Sequence, residues 1–348
     1  PPRSTLFPYT TLFRSIEEIK VFKEENPSKV IKIIMHEAPD PDAIGSAVGI
    51  QLRLKELGVD STIYYSGDIS HPQNKTMVNM LNISINKING QSLPEGLCIC
   101  VDCTEHNSAA ENPILVIDHH KSSSKAKYTI IDANYGSCCS LIWKLMKESG
   151  HKPSTDDLSV YTSLLLGIRT DTSDLISDTL SIEDFNGYQE LLQYSDKGKL
   201  QEIMNYPFPR YLYDKRLALH KEGNSTEANG VFVGGIGYIT PDQRDVIAIL
   251  ADEYTRMESV STAIIFAIVD RKSLHVSVRS NLVSMDVNQY CKELFGDFGG
   301  GKSYAGGAKI PLNFYENMDK DDADMYWKLT CRQMFRRVLK ENYKTQED

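Results

Sequence analysis

The sequence has no apolar stretch long enough to cross a bilayer. Its longest apolar run, residues 260–269, is about half of a ~20-residue span, so no membrane partner is expected. It also lacks the cysteine pattern of a disulfide scaffold: seven cysteines, an odd number, are scattered over 348 residues and point to a reducing, cytoplasmic setting. Positive charge is short as well. Thirty-eight Lys and Arg against 47 Asp and Glu leave a net charge of −9, which does not suit a broad basic surface for long duplex nucleic acid. A small anionic substrate fits only where metals or a local basic cluster receive it. Internal repeats and low-complexity tracts are absent too.

What remains is an ordinary globular composition, 41% hydrophobic and 24% charged, in a chain too long for one core. Residues 5–15, TLFPYTTLFRS, look like a translated sequencing adaptor, so residues 1–15 are set aside as an adaptor-derived scar. Ile16, Ile19 and Phe22 share one face of a short helix ended by Asn26-Pro27. Strands are expected at residues 30–35, 61–65, 97–101 and 114–117, with helices at 43–57, 137–147 and 158–168. This alternation predicts an α/β domain with a doubly wound, mostly parallel sheet over residues 16–195. Residues 196–229 are more polar and read as a connector. From residue 230 to 348 a smaller α/β domain is expected, with strands at 231–238, 260–269, 274–279 and 308–312. Its helices are expected at 242–254, 287–294 and 321–339, with a glycine loop at Gly299, Gly300 and Gly301.

Four separated segments end an apolar element with a carboxylate or an imidazole: HEAPDPDAIGS from His36, Val101-Asp102, Asp118-His119-His120, and GIRTDTS from Gly167. Three of them follow strands, and in an open α/β sheet the C-terminal strand ends form the ligand crevice. Asp40, Asp42, Asp102 and Asp171 would bring four negative charges together there, which calls for cations. Two divalent ions cancel four carboxylates, and His36 and His119 add neutral nitrogen ligands. Such an oxygen-rich set suits Mn²⁺ better than thiolate-preferring metals. Each part alone has a plainer reading. An Asp after a strand is usually a helix cap or solvated turn, Asp42 could cap the helix at Ala43, and Asp171 could be a cap. Cys98, Cys100 and Cys103 read as small buried thiols rather than a sulfur metal site.

Taken together, HEAPDPDAIGS, VD, DHH and GIRTDTS resemble the four motifs of the DHH phosphoesterase superfamily. Val278-Arg279-Ser280 and the run FGGGKSYAGGA from Phe298 resemble its DHH-associated substrate domain. The likeness is nearest to the compact two-domain nanoRNase and pAp phosphatase type. It implies two Mn²⁺, with Mg²⁺ or Co²⁺ in substitution. One ion would be held by His36, Asp40 and Asp102, the other by Asp42, Asp102, His119 and Asp171, with Asp102 bridging. It implies that Asp118 orients a histidine and that His120 faces the substrate phosphate. Arg279, Ser280, Gly299, Gly300, Gly301 and Lys302 would contact substrate. Lys302 stands where the family has a histidine, which bears on substrate preference.

The function so implied is hydrolysis of short oligoribonucleotides to nucleoside 5′-monophosphates, with pAp 3′-phosphatase activity beside it and a homodimer as the candidate assembly. A cyclic dinucleotide or pApA phosphodiesterase is the enzymatic alternative. A non-enzymatic nucleotide sensor is the alternative of another class, disfavoured by the complete ligand set.

Overall fold

A computed structural model describes residues 8–90, 92–312 and 319–339. The chain divides into two compact units between Tyr206 and Pro207. The first runs α1 (Pro8–Glu25), β1 (Ile31–Ile34), α2 (Pro41–Glu56), β2 (Ser61–Tyr65), α3 (Pro72–Met80), β3 (Ile85–Lys87), β4 (Cys98–Val101), β5 (Leu115–Asp118) and β6 (Tyr128–Ile131). Four helices follow: α4 (Cys138–Glu148), α5 (Leu158–Asp171), α6 (Ile182–Tyr194) and α7 (Lys197–Met204).

Its six strands are parallel and lie in the order β3-β2-β1-β4-β5-β6. Chain order therefore reverses between β1 and β4, where a doubly wound sheet opens its ligand crevice. Side chains alternate across the sheet. Ile31, Ile33, Ile99, Val101, Leu115 and Ile117 join the main core with α1, α2, α4 and α5. Ile34, Cys98, Cys100 and Val116 form a smaller cluster with Cys103, Ala110 and Ala126. All seven cysteines are free and buried. Helix α1 begins inside the segment set aside as a scar and buries Leu12 in the main core. Helices α3 and α6 and strands β3 and β6 lie in stretches for which no element was expected.

The second unit holds α8 (Arg210–Leu219), β7 (Ser225–Ala228), β8 (Val231–Ile239), α9 (Val246–Tyr254), β9 (Thr262–Val269), β10 (Ser273–Ser280), α10 (Val287–Phe295), β11 (Gly299–Gly301), β12 (Ala305–Pro311) and α11 (Lys320–Leu339). Its sheet order is β11-β12-β10-β9-β8-β7, and only β8 and β9 pair in parallel. The expected connector at 196–229 is thus α7 in the first unit and α8 with β7 in the second.

The expected glycine loop is an edge strand, a correction with a steric cause. Gly299, Gly300 and Gly301 pair with Ala308, Gly307 and Gly306 of β12. A Cβ on Gly299 would lie 2.1 Å from the Cys291 carbonyl oxygen of α10, and one on Gly301 would lie 2.4 Å from that of Ala305. The glycines let β11 lie flat between its helix and its partner strand. Among the described residues no helix is long and apolar enough to cross a membrane.

Candidate metal centre

His36 follows β1 and Asp102 follows β4, so the two flank the switch point of the sheet. Asp118 ends β5, with His119 and His120 next. Asp40 and Asp42 stand at the start of α2, and Asp171 ends α5. Two glycines bring these helices together. A Cβ on Gly45 would meet Cys139 Sγ at 2.6 Å, and one on Gly167 would meet it at 2.4 Å and Asp42 Cα at 2.9 Å. The close approach of α2 and α5 is what sets Asp42 beside Asp171.

The donors gather in three overlapping groups: His36, Asp40 and Asp102; Asp102, His119 and His120; and Asp42, His119 and Asp171, the ligand atoms of each lying within 4.8 Å of one another. His36 Nε2 lies 3.5 Å from Asp102 Oδ2 and 3.8 Å from Asp40 Oδ1. His119 Nε2 lies 3.4 Å from Asp102 Oδ1, 3.1 Å from Asp171 Oδ2 and 3.7 Å from Asp42 Oδ2. Two ligands each about 2.1 Å from one ion stand roughly 3–4.2 Å apart, so the spacing suits ions between the donors. Asp102 Oδ1 and His119 Nε2 are buried and make no hydrogen bond, which fits atoms shaped to hold a cation. Each imidazole is turned by its other nitrogen: His36 Nδ1 meets the Glu37 carbonyl at 2.9 Å and His119 Nδ1 that of Tyr135 at 3.1 Å. Asp102, 2% exposed, has φ +55°, a left-handed conformation that aspartate tolerates better than most residues.

Two of the carboxylates are also held by helix N-termini. Asp40 caps α2, its Oδ1 accepting from the N–H groups of Asp42 and Ala43 at 3.0 Å. The cap of α2 is therefore Asp40 and not Asp42. Asp42 instead reaches across to α4, where it accepts from the N–H groups of Cys138 at 2.7 Å and Cys139 at 2.8 Å.

The electrostatics show a site in want of positive charge. Burial opposes a charged imidazole at His36, yet Asp102 and Asp40 outweigh it and raise the pKa to about 11. Burial acts likewise at His119, where Asp102 and Asp171 prevail and the value rises to about 12. Burial, followed by the charges of Asp102 and Asp171, drives Asp42 well above the usual carboxylate range. All three shifts favour added positive charge, which divalent cations at these donors would supply.

Asp118 lies outside all three groups. Its Oδ1 sits 2.9 Å from His120 Nδ1 and also accepts from the His120 N–H, while Ser122 Oγ donates to Oδ2 at 2.7 Å. Burial alone would raise its pKa, but these hydrogen bonds hold it below the usual range. The histidine that Asp118 contacts is therefore His120, whose side chain is 48% exposed. Beside His36 opens a cleft of about 650 Å³ that also takes in Glu37, Ser66, His106 and Asn107. Sequence reasoning passed over His106 and Asn107, although they follow Asp102 by a few residues. It also missed the α4 N–H groups and the Tyr135 carbonyl, because backbone groups leave no residue signature.

In the second unit, Arg279 Nε donates to Asp252 Oδ1 at 2.6 Å and Nη1 to Ser277 Oγ at 2.9 Å. Ser280 Oγ lies 2.9 Å from Thr262 Oγ1. The Gly301 N–H donates to Asn288 Oδ1, and Lys302 is exposed at the β11–β12 turn. Gly300 is the member of the triplet whose missing Cβ meets little, only Asn288 Oδ1 at 3.8 Å.

Residues 30–168 match the model of the DHH family, N-terminal domain, and residues 238–323 that of the DHHA1 domain. Two uncharacterised proteins of Methanocaldococcus jannaschii are similar to the chain. One is 29% identical over 307 residues, covering 86% of this chain and 62% of its own length. The other is 23% identical over 318 residues, covering 83% and 90%. The chain therefore spans less than two thirds of the first relative. Among solved structures, an exopolyphosphatase-related protein from Bacteroides fragilis superposes with a TM-score of 0.61 at 17% identity, over 94% of this chain and 98% of that one. At that identity the likeness concerns the fold.

Proposed function

The chain belongs to the DHH superfamily of phosphoesterases, with a DHH domain followed by a DHHA1 domain, and from that premise we propose that it is a two-metal phosphodiesterase of short oligoribonucleotides. Its products are nucleoside 5′-monophosphates, and pAp is a further substrate, cut at its 3′-phosphate. The observation that carries this reading is Asp102: one buried carboxylate whose two oxygens face two different histidine groups, as a bridge between two ions requires.

His36, Asp40 and Asp102 would hold one ion, and Asp42, Asp102, His119 and Asp171 the other. Their oxygen-rich donor set with two imidazoles suits Mn²⁺. When bound, the two ions supply neutralising charge for the phosphate and acidify water for attack. Asp118 accepts the Nδ1 proton of His120, which leaves Nε2 as the nitrogen offered to the phosphate at an accessible position. Through that nitrogen His120 would stabilise charge developing on a phosphate oxygen. The second unit supplies substrate contacts at Arg279, Gly300 and Lys302. Arg279 is held in place by Asp252 and Ser277, and Lys302 offers a positive charge. The net charge of −9 favours a short substrate gripped at such points over a long one held by a basic surface.

The test is a substrate panel at fixed Mn²⁺: a fluorescent RNA dinucleotide, pAp, pApA, a cyclic dinucleotide and pyrophosphate. Mononucleotide release from the RNA dinucleotide, lost with chelator, is the expected result. Pyrophosphate turnover with inert dinucleotides would overturn the proposal.

A further inference from the structure

We propose that the first unit carries a second binding site, between α2 and α5, for a primary ammonium ion with an apolar body. The anchor is Asp157, which directly precedes α5. The 3₁₀ turn Thr155–Asp157 runs into that helix, and Ser154 caps the turn by accepting from the Asp156 N–H. Asp157 therefore makes no cap hydrogen bond with its side chain. Among the described residues its carboxylate has neither a hydrogen bond nor an ion pair, although the residue is partly buried. Burial, followed by the charge of Glu56, pushes it above the ordinary carboxylate range. Glu56 is itself held by Arg53 at 2.8 Å and His151 at 2.7 Å, so both of those side chains are engaged elsewhere.

Asp157 lines a cavity of about 400 Å³, a volume in the range of small-molecule sites. Val48, Leu52, Leu81, Ile83 and Val160 supply its apolar wall and continue into the main core. The charges on the wall set the class of ligand. Two carboxylates, Asp60 and Asp157, stand against one cation, Lys55. With Lys55 set against either carboxylate, the other remains uncompensated, so the cavity favours a single positive charge and disfavours an anion. Polar acceptors stand beside that charge. Gln51 Nε2 donates to the Ser61 carbonyl at 3.0 Å, and Gln51 Oε1 has no partner among the described residues. Ser61 Oγ is buried and makes no hydrogen bond. An ammonium group brings three N–H donors to these oxygens, and the apolar wall takes an aryl or alkyl body.

The cavity is distinct from the metal centre. Asp157 precedes α5 and Asp171 ends it, so 14 residues and about 20 Å of helix lie between them. On α2, Asp42 stands in the first turn and Lys55 in the last. The two helices that meet at the metal centre thus meet this cavity with their opposite ends.

The test uses the full chain in chelator, with phenethylammonium as probe and 2-phenylethanol and 3-phenylpropionate as neutral and anionic arms at constant ionic strength. Thermal melting and calorimetry read binding, so the outcome does not depend on the proposed activity. Phenethylammonium should raise the melting temperature saturably, while the other two should not. Asp157→Asn should weaken its binding about tenfold or more and melt no lower than the parent, since that carboxylate has no partner to lose. Lys55→Ala should bind the probe more tightly, because the competing cation is gone. Ser159→Trp, which fills the cavity and keeps Asp157, should lose the response. An equal response to phenylethanol or phenylpropionate would overturn the ligand class. No saturable response to phenethylammonium, or one kept in full by Asp157→Asn, would overturn the site and leave Asp157 as a solvated residue at the start of α5.

Discussion

Replacing Gly167 with alanine tests how the metal centre is assembled. The new methyl carbon would lie 2.4 Å from Cys139 Sγ and 2.9 Å from Asp42 Cα, against ordinary contacts of ~3.5–4 Å. The first contact is about 1 Å too close, and the second is with backbone that cannot rotate away. Overpacking of this kind costs about 1–3 kcal/mol. A helix gains about 1 kcal/mol when glycine becomes alanine, so the net loss of stability should be roughly 0–2 kcal/mol. The larger effect falls on the site. Moving α2 from α5 displaces Asp42 from Asp171 and His119, and a misplacement of about 1 Å costs about 100-fold in rate. Gly187→Ala in α6 is the matched control, because its Cβ would meet Ile168 Cδ1 at 3.5 Å, Trp143 Cδ1 at 3.6 Å and Ser140 Oγ at 4.0 Å, all ordinary contacts. Metal binding by calorimetry, melting in chelator and turnover of an RNA dinucleotide should separate the two. The control keeps its metal affinity and gains about 0.5–1 kcal/mol, whereas Gly167→Ala stays folded and loses metal affinity and rate. A Gly167→Ala protein with parental metal affinity and turnover would refute the claim that helix approach builds the centre.

Three further outcomes are expected. Asp102→Asn should keep the fold, since asparagine also accepts a left-handed φ, yet lose nearly all turnover; near-parental activity in saturating Mn²⁺ would remove the bridge. His36 and His119 are held protonated by their carboxylates, with values of about 11 and 12, so each ion that takes an imidazole displaces a proton. Affinity for Mn²⁺ should therefore rise by about one log unit per pH unit for each ion between about pH 6 and 9, and calorimetry in buffers of different ionisation heat should detect the released proton. A flat profile would contradict it. Lys302→Ala should raise KM for dinucleotides, with Lys302→His recovering more at acidic than at alkaline pH, and unchanged kinetics across pH and salt would show that the lysine touches no phosphate.

Much of the first unit was legible because β4 (CICV) and β5 (LVID) are short apolar runs that lead into Asp102 and Asp118. Ser61–Tyr65 falls where expected, and His36, Asp102, Asp118 and His119 follow their strands as the motifs imply. The hidden parts depend on long-range packing. Helix α3, PQNKTMVNM, has too few apolar residues to show a period, and β3 is a three-residue edge strand. The glycine triplet reads as a loop in isolation and becomes a strand only against α10 and β12. The attachment of Asp42 to α4 spans about a quarter of the chain and uses main-chain N–H groups, which no side-chain pattern announces.

That attachment has a consequence for how the centre fills. Asp40 and Asp42 are gripped by the first turns of α2 and α4, so half of the four-carboxylate array is fixed before any cation arrives. Such a centre would take up ions as a rigid chelator rather than as a chain that folds around them. The entropy of collecting these ligands is spent when the domain folds, and little is left to lose on loading. Loading speed should then follow how quickly an ion sheds its own water, and the rank order of metals in a stopped-flow trace should be that of their aqua ions. Such rigidity also separates metal loss from unfolding, so a stripped centre leaves an intact domain ready to be refilled.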